Sequence, residues 1–137
     1  MKSLACLLFP GLLMLASPLC AQERPKGNVT ARQQPKVQYG TASYYSNKFQ
    51  GRPTSSGELY DKDKMTCAHN ALPLGTWVKV TNLRNKRSVI VRVTDRLHHK
   101  NKRVVDLSRI AASKLGYVKR GLARVKVEVL PDGPPEQ

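Results

Sequence analysis

Acidic residues, aromatic residues and cysteine are all scarce in this sequence. Only 9 of its 137 residues are Asp or Glu, against 24 Lys and Arg, so the formal net charge is +15. Such an excess attracts anionic partners, which include nucleic acid, lipid headgroups and anionic polysaccharide. Aromatic residues make up only 6% of the chain, and the basic residues are scattered rather than grouped. These two features argue against a nucleic-acid-binding protein, and no nucleic-acid partner is expected.

Cysteine is too scarce for an internal disulfide framework. Of the three cysteines, Cys6 and Cys20 fall in an N-terminal segment with the features of a signal peptide, which leaves Cys67 alone in the remainder. A lone cysteine is most often a small buried apolar residue, and that is the expectation for Cys67.

Residues 1–21 have the layout of a secretory signal peptide. Lys2 is followed by an almost wholly apolar run from Leu4 to Leu15, and small residues follow before a polar region begins. The apolar run is too short to span a bilayer comfortably. We expect secretion across the inner membrane, cleavage after Ala21 and a periplasmic location. Lipid attachment at Cys20 is the less favoured alternative, because the two residues before it are not small.

The remainder of the chain suits one domain with one hydrophobic core. Residues 22–36 contain two prolines and many polar residues without apolar periodicity, which is typical of a flexible linker. Residues 131–137 contain three prolines and are typical of a short tail. The folded domain is therefore expected over residues 37–130.

Alternating apolar and polar residues predict short β-strands in this domain. The segments with strand-like patterns are residues 38–45, 76–81, 88–93 and 123–129. Residues 82–86 are expected to form a hairpin turn, whereas residues 107–115 show helical spacing with Gly116 as a stop signal. Short strands at this density indicate a mostly-β barrel with one clear short helix, and the pattern leaves the type of barrel open.

Three acidic residues of the domain have unusual settings. Glu58 follows a loop of small polar residues, 54–57, which allows a backbone to approach a ligand closely. Asp95 comes just after the predicted strand 88–93, where its side chain can project from the rim of a barrel. Asp106 precedes the predicted helix, and we expect it to cap that helix or to favour its N-terminal dipole.

The residues alone leave two interpretations of Glu58 and Asp95 open. Each can be a solvated surface carboxylate paired with a nearby arginine. Together with His69 they can instead perform acid–base chemistry on a glycosidic bond. His98 and His99 follow Asp95 closely but lie in no recognised ligand spacing, so no metal site is expected.

A series of sequence blocks, in fixed order, carries a family resemblance over residues 39–129. The blocks are Gly40 to Tyr45, Phe49 with Gly51, Thr54 to Tyr60, Ala68 to Thr76, Val80 to Leu83, Ser88 to Arg96, Val105 to Ser108, Ala111 with Ala112, and Leu115 with Gly116. In this order they resemble the rare lipoprotein A (RlpA) family of septal lytic transglycosylases. Several ordered blocks make a more specific match than any single motif.

The resemblance implies a double-psi β-barrel, in which six strands have two interlocked crossing connections, with one or two short helices. It also implies endolytic cleavage of the β-1,4 bond between N-acetylmuramic acid and N-acetylglucosamine in peptidoglycan, with a preference for strands without stem peptides. In that reaction the leaving oxygen is protonated and the sugar's own 6-hydroxyl attacks C1. The product is a 1,6-anhydro end, and no water is consumed. No cofactor is implied, and peptidoglycan glycan strands are the expected partner.

Carried over residue by residue, the resemblance implies three catalytic residues, Asp95, Glu58 and His69. Asp95 is the candidate general acid and base, which requires partial burial to raise its pKa. Glu58 is expected to orient the sugar or to stabilise positive charge at C1, and His69 to hydrogen-bond a carboxylate or a sugar hydroxyl. The matching blocks also supply the substrate-binding candidates, which are Tyr44, Tyr45, Ser56, Asn82, Arg92 and Arg96.

Two other functions compete with this one. After Asp95 and Arg96 the family usually has Gly-Pro and an aromatic residue, whereas this chain has Leu97, His98 and His99. That departure favours a non-catalytic wall-binding module comparable to expansins. A third interpretation is a basic protein that binds anionic wall polymers by charge, with strong salt dependence. Envelope or division proteins are secondary partner candidates, and a monomer is expected.

Overall fold

The computed structural model describes Gly11 and residues 37–136. The rest of the predicted signal peptide, including Cys20, the linker at residues 22–36 and the last residue of the tail lie outside the described residues. The elements are β1 (Val37–Tyr44), a 3-10 helix (Asn47–Phe49), β2 (Thr66–His69), β3 (Trp77–Asn82), β4 (Ser88–Asp95), β5 (Val105–Leu107), α1 (Arg109–Leu115) and β6 (Ala123–Leu130). The four strands and the helix predicted from the pattern are confirmed, with small shifts of their ends.

The six strands form one closed barrel in the order β1-β5-β2-β4-β3-β6, and β6 pairs back onto β1. Among these strands only β3 and β4 are neighbours both along the chain and in the barrel. β1 runs parallel to β5, and β2 runs parallel to β4, so crossover connections are needed between them. This arrangement confirms the six-stranded double-psi β-barrel with short helices.

Side chains that alternate along the strands fill the barrel, mostly with valine. The pattern is regular in β3, where every second residue is buried, and nearly so in β4. The buried valines are Val78, Val80, Val89, Val91, Val93, Val105, Val125 and Val127. Cys67 lies in the same core, which confirms the expectation of a buried apolar residue, and burial raises the pKa of its thiol.

The helix α1 ends as the sequence predicts. Gly116 takes a positive φ of 79°, and its N–H donates to the carbonyl oxygens of Ala112 and Ser113 at 3.0 Å each. In the part of the chain that the structure describes, no helix has the length and apolar character needed to cross a membrane.

The predicted capping role of Asp106 is wrong. Asp106 belongs to β5, which pairs with β1 on one side and β2 on the other, so its backbone is still extended there. Its carboxylate accepts hydrogen bonds from Arg103 Nε at 2.9 Å and Arg103 Nη2 at 3.1 Å. Ser108 occupies the N-cap position, and its side chain makes no capping hydrogen bond. The carboxylate of Asp106 is therefore engaged in a bidentate ion pair with Arg103 instead of capping the helix.

Leu107→Ala tests the barrel core. Leu107 is fully buried, and truncation should lower the free energy of unfolding by about 2–5 kcal/mol because it leaves a cavity. Leu122→Ala is the matched control, since Leu122 is 51% exposed and should change stability by less than about 0.5 kcal/mol. Urea denaturation of both variants measures the difference, and equal effects would contradict the described core.

Candidate active site at the end of strand β4

Residues 51–60 form a small hairpin whose arms are joined by backbone hydrogen bonds and a β-bridge. At its tip Thr54 N donates to Glu58 O at 2.8 Å. Ser56 N donates to Thr94 O at 3.0 Å, which fastens the tip to the end of β4. The small polar residues of the loop therefore lie directly against the strand that carries Asp95.

Asp95, the last residue of β4, receives four hydrogen bonds from three segments of the chain. Its Oδ1 accepts from Ser55 N at 3.0 Å, from Ser55 Oγ at 2.7 Å and from Arg96 N at 2.8 Å. Its Oδ2 accepts from Tyr45 Oη at 2.6 Å. Oδ1 is thus saturated with donors, whereas Oδ2 keeps acceptor capacity for a further group.

The pKa of Asp95 lies below its ordinary value, whereas a general acid was expected to have a raised pKa. Burial raises this pKa, as expected, but the hydrogen bonds from Tyr45, from Ser55 and from the backbone of Arg96 together lower it by more. The carboxylate is therefore ionised at neutral pH in the free protein. The side chains of Arg92 and Arg96 donate to other groups and not to the Asp95 carboxylate. The donors that position this carboxylate therefore also favour its charged form.

Tyr45 links Asp95 to a small aromatic cluster. Its ring centroid lies 4.3 Å from that of Tyr60 and 5.7 Å from that of Phe49. Tyr60 is buried, so the cluster fixes the Tyr45 ring against the barrel. Burial and the neighbouring Asp95 raise the pKa of the Tyr45 hydroxyl, which stays protonated and remains a donor. The structure thus brings the predicted substrate-binding residue Tyr45 into contact with the candidate acid.

Glu58 is held in a two-point ion pair with Arg92 of β4. Arg92 Nη1 donates to Glu58 Oε1 at 2.8 Å, and Arg92 Nη2 donates to Oε2 at 2.7 Å. The hydrogen bonds and charge of Arg92 lower the pKa of Glu58, although both side chains are partly exposed. Glu58 N also donates to Ser56 Oγ at 3.3 Å. Glu58 and Asp95 therefore sit on one rim, between the same hairpin and the same strand.

His69 has a different setting from the one expected. Its ring is fully buried, with Nδ1 accepting from Ala71 N at 3.0 Å and Leu72 N at 3.2 Å. An acceptor Nδ1 leaves the proton on Nε2, which donates to Gln38 Oε1 at 2.8 Å. Burial and the nearby Arg96 charge lower the pKa of His69 to about 4. Both nitrogens are thus engaged by neutral protein groups and neither binds a carboxylate.

Arg96 connects the His69 turn to the Asp95 centre. Its backbone N–H donates to Asp95, while its guanidinium Nη1 donates to the carbonyl oxygens of His69 and Leu72. The imidazole of His69 holds the amides of that same turn. Hydrogen bonds of His69 and Arg96 therefore tie the turn after β2 to the segment that carries Asp95.

Two of the predicted substrate-binding residues lie away from this rim. Tyr44 points to the other side of β1, and its hydroxyl donates to Val118 O at 2.9 Å. Asn82 is buried at the far end of β3, where its Nδ2 donates to Leu115 O at 3.0 Å. Both residues belong to sequence blocks of the family resemblance, and those blocks alone do not tell which end of the barrel a side chain reaches.

The segment after Arg96 forms a compact turn at the edge of the site. Leu97 is buried, and the exposed rings of His98 and His99 stack with centroids 4.3 Å apart. Lys100 N donates to His98 Nδ1 at 3.2 Å. Over residues 37–136 no group of three or more His, Cys, Asp or Glu side chains is arranged to hold a metal ion.

Ser55 is the contact that sequence reasoning missed. It gives Asp95 two of its four hydrogen bonds, although it stands 40 residues away in the chain. The available signal was the run of small polar residues before Glu58, within which only the three-dimensional structure singles out Ser55. The assembled group offers an ionised carboxylate with one open lone-pair direction, held by the Tyr45 phenol, beside a charged Glu58–Arg92 pair. Such a set can exchange a proton with a bound hydroxyl or ether oxygen.

Sequence comparison finds one family model, described as lytic transglycolase, which matches residues 37–127. The endolytic peptidoglycan transglycosylase RlpA of Pseudomonas aeruginosa (strain UCBPP-PA14) is 58% identical over 89 residues, which cover 65% of this chain and 26% of that protein. Its namesake from Neisseria meningitidis (strain DSM 15465 / Z2491) is 49% identical over 97 residues, or 71% of this chain and 41% of that protein. The chain thus spans well under half the length of these curated relatives.

The solved structures that are similar in fold include a papain inhibitor and an expansin. A Streptomyces papain inhibitor has a TM-score of 0.56 at 23% identity, covering 69% of this chain and 94% of that chain. The apo expansin of Clavibacter michiganensis has a TM-score of 0.58 at 24% identity, covering 72% of this chain and 52% of that chain. At these identities the likeness concerns the barrel architecture alone.

Tyr45→Phe should raise the pKa of Asp95, because it removes the donor on Oδ2 that favours the ionised form. A carboxyl whose pKa is depressed by folding stabilises the fold above its ordinary pKa, and that stabilisation is lost as pH falls through the folded value. The variant should therefore also lose less stability in acid. Carboxyl-detected NMR titration measures the pKa, with Tyr39→Phe as control since Tyr39 is 63% exposed. An unchanged or lower pKa in Tyr45→Phe would contradict the described contact.

The His69 imidazole should remain neutral, protonated at Nε2 only, down to about pH 5. Because folding depresses its pKa from 6.5 to about 4, its contribution to stability is complete above 6.5 and declines as pH falls towards 4. Nitrogen-15 NMR of the ring reports the tautomer and charge directly. His69→Gln should flatten the pH dependence of unfolding in that window, whereas titration of the native ring at its ordinary pKa would show the described burial to be wrong.

Proposed function

Because the chain belongs to the lytic transglycolase family, whose model it matches over residues 37–127, we propose that it cleaves peptidoglycan glycan strands at the Asp95 rim. The proposed bond is the β-1,4 link between N-acetylmuramic acid and N-acetylglucosamine, and the proposed product carries a 1,6-anhydro end. Peptide-free strands are the proposed substrate. The enzyme class is that of a lyase, since no water enters the reaction.

One observation carries this proposal: the Asp95 carboxylate is held rigidly by Ser55, Tyr45 and the backbone of Arg96, with Oδ2 still able to accept. Catalytic groups need fixed positions, because small displacements from the reacting atoms are costly in rate. Asp95 ends a strand of a closed barrel and is tied to two other segments. An ordinary surface carboxylate has no such set of donors.

The chemistry assigned to Asp95 takes place at Oδ2 because Oδ1 is saturated. In the first step the carboxylic acid gives its proton to the leaving O4 of N-acetylglucosamine as the bond from C1 breaks. In the second, the 6-hydroxyl of the N-acetylmuramic acid attacks C1, and its proton passes to the carboxylate. One residue therefore serves as acid and then base, and protons balance over the cycle.

Protonation of Asp95 before the first step depends on the bound glycan. A covering sugar removes water from the carboxylate, and that strengthens the burial effect which already raises its pKa. Substrate binding thus opposes the donors that keep the free carboxylate charged. Glu58, paired with Arg92, is the proposed partner that faces positive charge developing at C1.

The proposed site of action is the periplasm, since peptidoglycan lies beyond the inner membrane. Delivery there is assigned to the signal peptide predicted at residues 1–21, with lipid attachment at Cys20 as the lesser alternative. The net charge of +15 favours retention on anionic envelope polymers. A monomer acting on glycan strands is the proposed working unit, and envelope or division proteins stay secondary candidates.

A non-catalytic glycan-binding module is the second candidate, because the free Asp95 carboxylate is held in its ionised form. An ionised carboxylate accepts hydrogen bonds from sugar hydroxyls without transferring a proton. The histidine pair that replaces the family's usual residues after Arg96 alters the loop beside this group. Binding without cleavage is the outcome that this candidate predicts.

Asp95→Asn should lower the yield of 1,6-anhydro ends from peptide-free glycan strands by at least about 100-fold, as loss of a general acid and base does. Mass spectrometry of the products measures it. Asp63→Asn is the matched control, because Asp63 is an exposed acid of the same size whose carboxylate is outside the rim. Both variants are compared with the parent by circular dichroism to establish that they are folded.

The outcomes separate the two candidates. Products from the parent and from Asp63→Asn but not from Asp95→Asn support the enzyme. Saturable glycan binding without product from any of them would instead support the binding module. Equal product from Asp95→Asn would show that another residue transfers the proton.

A further inference from the structure

A cavity of about 730 Å³ lies at the opposite end of the β3–β4 hairpin from Asp95, and we call it the distal cavity. Asn82, at the end of β3, belongs to its lining. Thr81, the neighbour of Asn82, pairs with Ser88, and Asp95 stands at the other end of the same strand. At about 3.3 Å a residue, that strand separates the two places by roughly 20 Å. The size suits a small ligand.

Three arginines line the distal cavity: Arg84, Arg120 and Arg124. All three are exposed, and no acidic residue is part of the lining. Over residues 37–136 the ion pairs of the chain use other cations, namely Arg92, Arg103 and Lys126. The guanidinium groups are therefore unpaired within the described domain, and their planar donors match carboxylate and phosphate oxygens.

The floor of the distal cavity is fixed, in contrast to its arginines. Asn82 Nδ2 and Asn85 Nδ2 both donate to Leu115 O, at 3.0 and 2.8 Å. Asn82 Oδ1 accepts from Arg84 N at 3.0 Å, which holds the backbone that carries one arginine. A Cβ on Gly116 would approach Asn85 Nδ2 to 3.1 Å, so this part of the floor is closely packed. A prearranged floor lowers the cost of ordering a bound molecule.

The shape and lining favour a single anionic molecule with an apolar face. Leu122, which is 51% exposed, adds apolar surface beside the arginines. Membrane binding needs a convex surface with several exposed apolar side chains. The distal cavity is concave, and Leu122 is the one exposed large apolar residue in its lining. A sugar that carries a carboxylate has both properties, since its ring face is apolar and its substituent is charged.

We propose that the distal cavity binds a glycan residue with a free carboxylate, such as the lactyl group of N-acetylmuramic acid in a peptide-free strand. This proposal rests on the proposed function, because it takes peptidoglycan as the polymer. A stem peptide converts that carboxylate into a neutral amide, so a stripped strand presents to the arginines a carboxylate next to the sugar ring that a substituted strand lacks. The protein thereby holds a stripped strand at a second place, distinct from the Asp95 rim.

NMR titration with two monosaccharides tests the proposal. N-acetylmuramic acid should shift the amides of Gly116, Arg120 and Arg124 and bind at least about tenfold more tightly than N-acetylglucosamine, which lacks the lactyl carboxylate. The double variant Arg120→Gln/Arg124→Gln should weaken that binding by at least about tenfold. Lys62→Gln/Lys102→Gln removes the same charge outside the cavity and should leave it nearly unchanged.

With the sugars, three results would overturn the proposal: equal binding of the two sugars, equal loss in the lysine control, or shifts confined to the Asp95 rim. Inorganic phosphate is the further arm, and if it binds the same amides as tightly as N-acetylmuramic acid, the site is a general anion site rather than a glycan site. Monosaccharides contain no scissile bond. Failure here is therefore distinguishable from failure of cleavage, which the Asp95→Asn assay measures separately.

Discussion

Barrel closure by β6 is the constraint on which the rest of the molecule depends. β6 pairs with β1 along one edge and with β3 along the other, so neither strand presents a free edge. Closure sets the register of every strand, and the register in turn sets which residues reach each end of the barrel. The end of β4 then carries Asp95, and the end of β3 carries Asn82 with the arginines above it. Two chemically different rims follow from one closed sheet.

The Asp95 rim combines precision with an unfavourable charge state. The donors from Ser55, Tyr45 and Arg96 fix the carboxylate in space, and each also favours the ionised form. An acid catalyst needs a carboxyl group in a fixed position, but it needs that group protonated rather than ionised. Protonation of the carboxylate therefore requires that water be removed from Oδ2, and the proposed mechanism assigns this removal to the bound sugar. In the free protein the Asp95 carboxylate is therefore in the form that accepts a proton.

Much of the fold was predictable because its longer strands alternate between core and solvent. β2 and β5 have four and three residues, which is too short for a clear alternation of apolar and polar residues. Their extended conformation depends on pairing with neighbouring strands. The position of Asp95 at the end of β4 followed from the same alternation. The hydrogen-bond partners of His69 and Asn82 did not, since both side chains bond to backbone groups that only the folded chain brings to them. Asp106 was misplaced because its partner Arg103 precedes it on an irregular segment.

The centre around Asp95 is built from residues far apart in the chain, and this has a consequence for its timing. Tyr45 and Ser55 precede Asp95 by 50 and 40 residues, so neither contact exists until distant strands have met. Long-range contacts are slow to form, because closing a long loop costs entropy before the contact is gained. A newly made or extended chain therefore has the sequence of the centre without its function, and becomes competent only on completing the barrel. The proposed activity on glycan strands is therefore confined to the closed barrel, and an unfolded copy of the chain has no Asp95 centre with which to cut them.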